Sequence, residues 1–288
     1  MSKKESTFFN RLDKVYTSLT PKKKKIADYL KENYKDAVFF SLAEAAKNIE
    51  VSDASLIRFA QTLEYEGFSA MQEDLQRYVS ASMKTTVERF SDFEKSSSED
   101  DDLEKLLTLN HKILTELRQL VSVDEVTKFA ESLSTYKNIL IVGWESTGGL
   151  AEYLYYYLSR TGLNVDIVNE KRGDLYPVLQ HIEEGSLLFL LSVSRYPKRS
   201  VEFCLAGLKK GASLAIISDT SDHPLSSKAD YQFSLSHHRS TGFNMEIHIP
   251  MLTLIQLIIQ KHSWSNINKT KTSLNKLEEY NSTFGIFQ

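Results

Sequence analysis

The sequence predicts an α/β protein in two parts, an all-α N-terminal domain joined to a three-layer αβα domain built on a parallel sheet. Three observations lead there. From Phe8 to Leu30 apolar residues recur at three- and four-residue steps, the period of helices, and Ser41 to Leu63 reads as two further helices around a turn. After Tyr136 short apolar runs alternate with helical patterns, as in βαβ units. Between them, Ser91 to Glu104 carries seven acidic residues against the single Lys95, a solvated stretch that can bury little and marks a boundary. The expected division is therefore a helical domain at 1–78, an acidic linker and connecting helix at 79–123, the α/β domain at 124–262 and a C-terminal tail at 263–288.

At 288 residues, 41% hydrophobic and 25% charged, the chain has a globular composition that excludes collagen-like and wholly disordered readings. Thirty-five Lys and Arg against 38 Asp and Glu leave a net charge of -3, so any basic surface for a polyanion must be local. Cys204 is the only cysteine, which rules out an intramolecular disulfide and a multi-cysteine zinc site; no metal or other cofactor is expected. Met1 to Asn10 lacks the apolar segment of a signal peptide, and Met251 to Ile259 is too short to span a bilayer and reads as a buried helix. A cytoplasmic location is the expectation.

In the N-terminal part, one helical run holds Leu12, Val15, Tyr16 and Leu19, and the next holds Ile26, Ala27, Tyr29 and Leu30. Thr20-Pro21 predicts the second helix start, with Thr20 capping and Pro21 at the first helical position, where its missing N–H costs nothing. Ser41 to Leu63 predicts two helices around a tight turn. Ser41 caps the first, whose apolar face carries Leu42, Ala45 and Ala46; the turn inserts Ile49 and Val51; Ser52 caps the second, with Leu56, Ile57, Ala60 and Leu63 inward. Asp53, Ser55 and Arg58 are then left facing outward, with Gln61 and Thr62 a turn further on. In a helix-turn-helix, these residues of the second helix meet base edges in the major groove. Arg58 can bond a guanine bidentately and Ser55 a base or phosphate, whereas Asp53 would repel phosphate and suits the positive helix N-terminus instead. Four lysines, Lys22, Lys23, Lys24 and Lys25, stand at a helix start against the macrodipole and suit an external polyanion. Two short helices and a solvated lysine face also occur in proteins that never meet DNA, so these residues by themselves leave both readings standing.

Leu19 to Leu75 resembles the helix-turn-helix domain of the RpiR/MurR family of bacterial transcription regulators. The resemblance rests on the Leu-Thr opening, Ile26-Ala27-Asp28-Tyr29-Leu30, Leu42-Ala43 with Ala46, Val51-Ser52, Ile57-Arg58-Phe59 and Tyr65-Glu66-Gly67-Phe68. One departure is Glu64, where the family usually has glycine before the tyrosine.

In the C-terminal part, Leu103 to Leu120 predicts a connecting helix. Strands are predicted at Ile139 to Val142, Val165 to Val168, Leu187 to Leu191, Leu214 to Ile217 and Tyr231 to Leu235, several without polar alternation, as in a parallel sheet covered on both faces. Ligands of such sheets sit beyond the carboxyl ends of the strands. Two loops there carry hydroxyls, Ser146 and Thr147 after the first strand and Ser192 and Ser194 after the third. With helix N-termini behind them they can converge on one anion, and Arg195, Lys198 and Arg199 add cationic donors. Turns that need glycine for geometry and Ser or Thr for capping have the same composition.

This half resembles the SIS domain, a phosphosugar-binding, flavodoxin-like parallel-sheet fold that usually accompanies the helix-turn-helix in RpiR regulators. The likeness continues through Gly211-Ala212, Ile216-Ile217-Ser218-Asp219, Pro224-Leu225 and Ala229-Asp230, and covers about Asp124 to His262. Two departures fall in the ligand loops. Where the family commonly runs Gly-x-Gly-x-Ser, this chain has Gly143-Trp144-Glu145-Ser146-Thr147; where it runs Ser-x-Ser-Gly-x-Thr, the chain has Ser192-Val193-Ser194-Arg195-Tyr196-Pro197.

The resemblance implies a transcription regulator of carbohydrate genes, most commonly a repressor relieved by its ligand. Its expected partners are double-stranded operator DNA, bound through Lys23, Lys24, Ser52, Asp53, Ser55, Arg58 and Gln61, and a sugar phosphate, bound through Ser146, Thr147, Ser192, Ser194, Arg195 and Lys198. A homodimer or tetramer is expected, because two recognition helices must reach half-sites roughly 34 Å apart. The altered loops leave room for another small anion, or for a pocket closed by an Arg195–Glu145 pair. SIS domains also occur in sugar-phosphate isomerases, which need a Glu or His base. His237-His238-Arg239 and Glu246-Ile247-His248 lie near the expected rim without a recognisable catalytic spacing, and Walker and H-E-x-x-H motifs are absent from the sequence, so no enzyme is expected.

Overall fold

A computed structural model describes residues 7–82, 87, 88, 90, 91, 94, 103–221, 223–235 and 245–285. The chain divides into two compact units, Met1–Val87 and Glu88–Gln288. Most of the acidic run between Ser91 and Glu104, and the His237-His238-Arg239 triplet, lie outside the described residues.

The first unit is helical, with α1 Thr7–Val15, α2 Pro21–Glu32, α3 Tyr34–Ala37, α4 Leu42–Ile49, α5 Asp53–Thr62 and α6 Phe68–Ser82. Ile26, Leu30, Ala45, Ala46, Leu56, Phe59, Leu63 and Met71 meet in its core, and the small alanines let α4 and α5 approach closely. Full burial of each large side chain contributes about 1.5–3 kcal/mol. The start of α4 is a complete capping box: Ser41 Oγ accepts from the Glu44 amide, while the Glu44 carboxylate accepts from the Ser41 amide at 2.8 Å. Pro21 takes the first position of α2, but the Thr20 hydroxyl makes no capping bond there. Ser52 does not cap α5 either; its hydroxyl is instead hydrogen-bonded to Ser55 Oγ at 2.8 Å.

The second unit holds five parallel strands, β1 Asn138–Gly143, β2 Val165–Val168, β3 Ser186–Ser192, β4 Ser213–Ser218 and β5 Tyr231–Ser234, in the order β2-β1-β3-β4-β5. Its helices are α7 Leu103–Leu120, α8 Val123–Ser132, α9 Gly148–Leu158, α10 Tyr176–Gln180, α11 Lys198–Leu208, α12 His248–Ser265 and α13 Ile267–Phe284. Every residue of β3 is buried, which accounts for its unbroken apolar run. Phe129 of α8 meets Phe189 of β3 edge-on at 5.0 Å, and Met251, Leu254, Ile255 and Ile258 of α12 join the same core. The apolar stretch Met251 to Ile259 is thus the middle of a longer buried helix, and the segment 263–288 carries α13. Among the described residues, no helix is long and apolar enough to cross a membrane.

The strand order positions the site. From β1 the chain crosses outward to β2 and returns to β3 on the other side, so the connections diverge between β1 and β3. The crevice beyond the carboxyl ends of these two strands is where this topology places ligands.

Candidate functional site

In the helical unit, α5 buries Ser55, Leu56, Phe59 and Ala60 and exposes Asp53, Ala54, Ile57, Arg58 and Gln61. Two expectations are corrected. Ser55 is only 6% exposed and its hydroxyl is engaged with Ser52, so it faces the core rather than a base. Ile57, expected inward, is 36% exposed, and Phe59 takes the interior place. The reason is helical phase: neighbours differ by about 100°, and the buried arc is set by Leu56, Phe59 and Ala60, which turns residue 57 outward.

The lysines divide. Lys23 Nζ donates to Thr62 Oγ1 at 2.7 Å, and Thr62 Oγ1 donates to the Arg58 carbonyl at 2.8 Å, so Lys23 braces the far end of α5. Lys24 Nζ stands 5.8 Å from the centre of the Tyr16 ring. Lys25 pairs with Glu50 at 2.8 Å, and its ammonium holds that carboxyl below the usual carboxylate range.

Glu50 closes α4 in the left-handed conformation, with φ 57°, and forms the turn of the motif. Glu64 is also left-handed, with φ 61°, the backbone state that glycine adopts without cost. Arg11 secures it: Nη1 donates to the carbonyls of Leu63 at 2.9 Å and Glu64 at 2.5 Å, and the guanidinium lies 4.3 Å over the Tyr65 ring.

The same rule holds in the crevice of the second unit. Glu145 and Arg195 occupy the glycine positions of the two SIS loop patterns, and both keep positive φ, 53° and 76°. Gly143, which remains glycine, cannot be replaced: a Cβ there would stand 2.7 Å from Ala151 Cβ, so β1 and α9 pack through the missing side chain.

The four expected hydroxyls have different positions. Thr147 is 2% exposed and its Oγ1 donates to the carbonyls of Trp144 at 3.0 Å and Leu191 at 2.9 Å, tying the β1 loop to the end of β3. Ser194 is bound by Asp219 at the end of β4: its amide donates to both carboxylate oxygens at 3.1 and 3.0 Å, and its hydroxyl donates to Oδ2. Ser146 is exposed. Ser192 is 1% exposed, and its Oγ is buried without a hydrogen-bond partner among the described residues. Such an orphan at the end of a central strand is costly unless something else completes it. Of the expected cations, Arg195 is exposed and Lys198 stands 3.6 Å from Glu202.

Three neighbours escaped the sequence reading. Asp219 holds the Ser194 donors. The Glu170 carboxylate accepts from the Glu145 amide at 3.3 Å and stands beside Gly148, so a carboxylate of the protein already complements the start of α9. His223 is fully buried, with Nδ1 accepting from the Leu225 amide at 3.1 Å and the ring edge-on to Tyr196 at 4.6 Å. Burial holds its pKa down to about 3, leaving the ring neutral with the proton on Nε2. The available signal was positional, since Asp219 directly follows the end of β4 and Glu170 stands two residues past the end of β2. His248, expected near the rim, has its Nδ1 hydrogen-bonded to the Met245 carbonyl at 3.0 Å. Among the described residues, no cluster of His, Cys, Asp and Glu could hold a metal ion.

Comparison with known proteins decides the family. Residues 7–82 match the model of the helix-turn-helix domain of the rpiR family, and residues 132–260 match the SIS domain. The chain belongs to the RpiR family of transcription regulators. An HTH-type transcriptional regulator of Haemophilus influenzae is 26% identical to this RpiR-family chain over 231 residues, 79% of each protein. The Vibrio vulnificus NanR protein, determined in complex with ManNAc-6P, superposes with a TM-score of 0.55 at 18% identity over 96% of this chain and 98% of its own. The sugar isomerase domain of an RpiR transcription factor from Sphaerobacter thermophilus superposes at 0.55 and 16% identity, over 60% of this chain and 96% of that domain. Both share the fold.

Proposed function

We propose that this chain is a DNA-binding transcription regulator whose affinity for operator DNA responds to a small anion of the sugar-phosphate class, bound in the crevice between β1 and β3. The observation that carries the effector reading is Ser192, a buried hydroxyl with no described partner at the switch point of the sheet. Exposed Ser146, Arg195 and Lys198 on the flanking loops supply further donors. The fold shared with NanR, itself determined with a sugar phosphate, favours that class and with it genes of carbohydrate use. On the DNA side, Arg58 and Gln61 stand on the outward face of α5, with Asp53 and Ser52 at its start.

A second copy completes the reading. Leu103, Leu106 and Leu107 form an exposed apolar stripe on the first turns of α7, which supports pairing of two chains and a role for α7 in coupling. An effector that prefers one arrangement of the pair shifts the spacing of the two DNA-reading helices by its differential affinity alone. The chain is read as a regulator and not an enzyme; the isomerase alternative draws on the Sphaerobacter domain, so turnover must be measured.

The test is thermal unfolding against a panel of sugar phosphates. A ligand at 100 times its Kd stabilises the native state by about 2.7 kcal/mol and raises the midpoint. The expected result is a shift with one class of sugar phosphate, lost in Ser192→Ala and accompanied by a change in operator affinity. No shift across the panel defeats the effector reading, and conversion of hexose phosphates would establish the isomerase.

A further inference from the structure

Ile57 is the larger of two apolar residues in the outward stripe of α5, and it keeps 36% of its surface exposed. At 100° per residue, Asp53, Ile57, Gln61, Ala54 and Arg58 fall at about 0°, 40°, 80°, 100° and 140° around the helix. Ile57 and Ala54 therefore stand on either side of Gln61, with Arg58 at one margin and Asp53 at the other. A lone exposed isoleucine is ordinary on a protein surface. This one lies within the set of side chains whose chemistry suits base edges, and in the major groove the only apolar group on any base edge is the 5-methyl of thymine. Its β-branched side chain has few rotamers to lose, so it presents a stiff apolar surface without an ordering cost.

We propose that Ile57, assisted by Ala54, reads a thymine methyl, so that the operator half-site carries thymine beside the base pair contacted by Arg58. The inference rests on the DNA-binding reading above and adds to it which residue discriminates and which chemical group is recognised. Arg58 supplies the polar half of the code, a bidentate contact suited to guanine. Ile57 supplies the apolar half, which rejects cytosine and deoxyuridine at one position because neither offers a methyl.

The experiment enriches duplexes bound by the full-length protein from a randomised pool, then replaces each thymine of the enriched site in turn with deoxyuridine, which pairs identically and lacks only the methyl. Burial of one methyl predicts a roughly fourfold loss of affinity at one or two thymines of each half-site. That loss should vanish in Ile57→Ala, persist in part in Ile57→Thr, which keeps the branch and one methyl, and persist in Arg58→Ala, which instead loses its preference for guanine. Arg58→Ala should leave the thermal midpoint unchanged, and the Ile57 variants, at a side chain 36% exposed, should lower it only modestly and stay folded. Deoxyuridine without effect at every position, or a loss undiminished in Ile57→Ala, overturns the proposal while DNA binding stands. A pool that yields no enriched sequence overturns the DNA-binding reading itself.

Discussion

The outward face of α5 and the loops between β1 and β3 are both built from residues that can bind, yet they hold those residues differently. On α5 the candidate side chains Arg58 and Gln61 project from a helix whose buried side is complete without them. In the crevice, the Thr147 hydroxyl is committed to two carbonyls and the Ser194 amide and hydroxyl to Asp219, so the loops that carry the candidate ligand residues are held together by their own polar groups. Function and stability are therefore separable at the first site and coupled at the second.

The sharpest way to break that contrast is to remove one group from each. Asp219→Ala strips the charge-assisted partner from two Ser194 donors and should cost about 2–3 kcal/mol of stability in the α/β unit, together with the effector response. Arg58→Ala should leave the thermal midpoint within the range of an ordinary surface change while weakening specific DNA binding by about 1–3 kcal/mol. Unfolding curves and DNA titrations on both variants check this. A large loss of stability in Arg58→Ala, or none in Asp219→Ala, would dissolve the distinction.

Acid sharpens it next. All seven histidines lie beyond residue 110, so the helical unit has none to protonate. His223 is neutral in the fold with its pKa depressed to about 3, whereas unfolded it returns to the ordinary imidazole value, so between these values the unfolded chain binds the extra proton. Its contribution to stability is full above the unfolded value and falls as pH drops toward the folded one, by about 2 kcal/mol between pH 7 and 5. His262 is shifted the same way, chiefly by burial, and adds to the trend. Separate melting of the two units at pH 7 and 5 should show the α/β transition moving down and the helical one holding, and His223→Gln should flatten the dependence.

The two regions also differ in how far the sequence disclosed them. The strands were legible because full burial on both faces writes an unbroken apolar run, as in Leu187 to Leu191, and the helix-turn-helix because its Ser41 cap and its alanines are local, although the expected Ser52 cap does not form. The exchange of Ser55 and Ile57 was not, because a reading that places Leu56 and Ile57 on one face fits the apolar count as well as the true phase does. Nor was the commitment of Thr147 and Ser194, whose partners Leu191 and Asp219 lie 44 and 25 residues away and meet them only once the strands align. Residue identity likewise concealed the left-handed backbone at Glu64, Glu145 and Arg195; glycine would have announced it.

Those concealed positions give the smallest and most discriminating effect. Left-handed backbone costs a non-glycine residue roughly 1–2 kcal/mol, and glycine returns about 0.5–1 kcal/mol of that as unfolded-state entropy. Glu64→Gly should therefore stabilise the helical unit by about 0.5–1 kcal/mol without altering ligand binding, since the Arg11 bonds go to backbone carbonyls that the substitution leaves in place. Glu145→Gly should give the same gain in the α/β unit and, by removing a carboxylate from the β1 loop, should also tighten binding of an anion. Paired melts with and without the effector separate the two. Equal gains with no change in anion affinity for Glu145→Gly would mean that its side chain turns away from the bound ligand, and that the crevice is shaped by backbone at this loop rather than by charge.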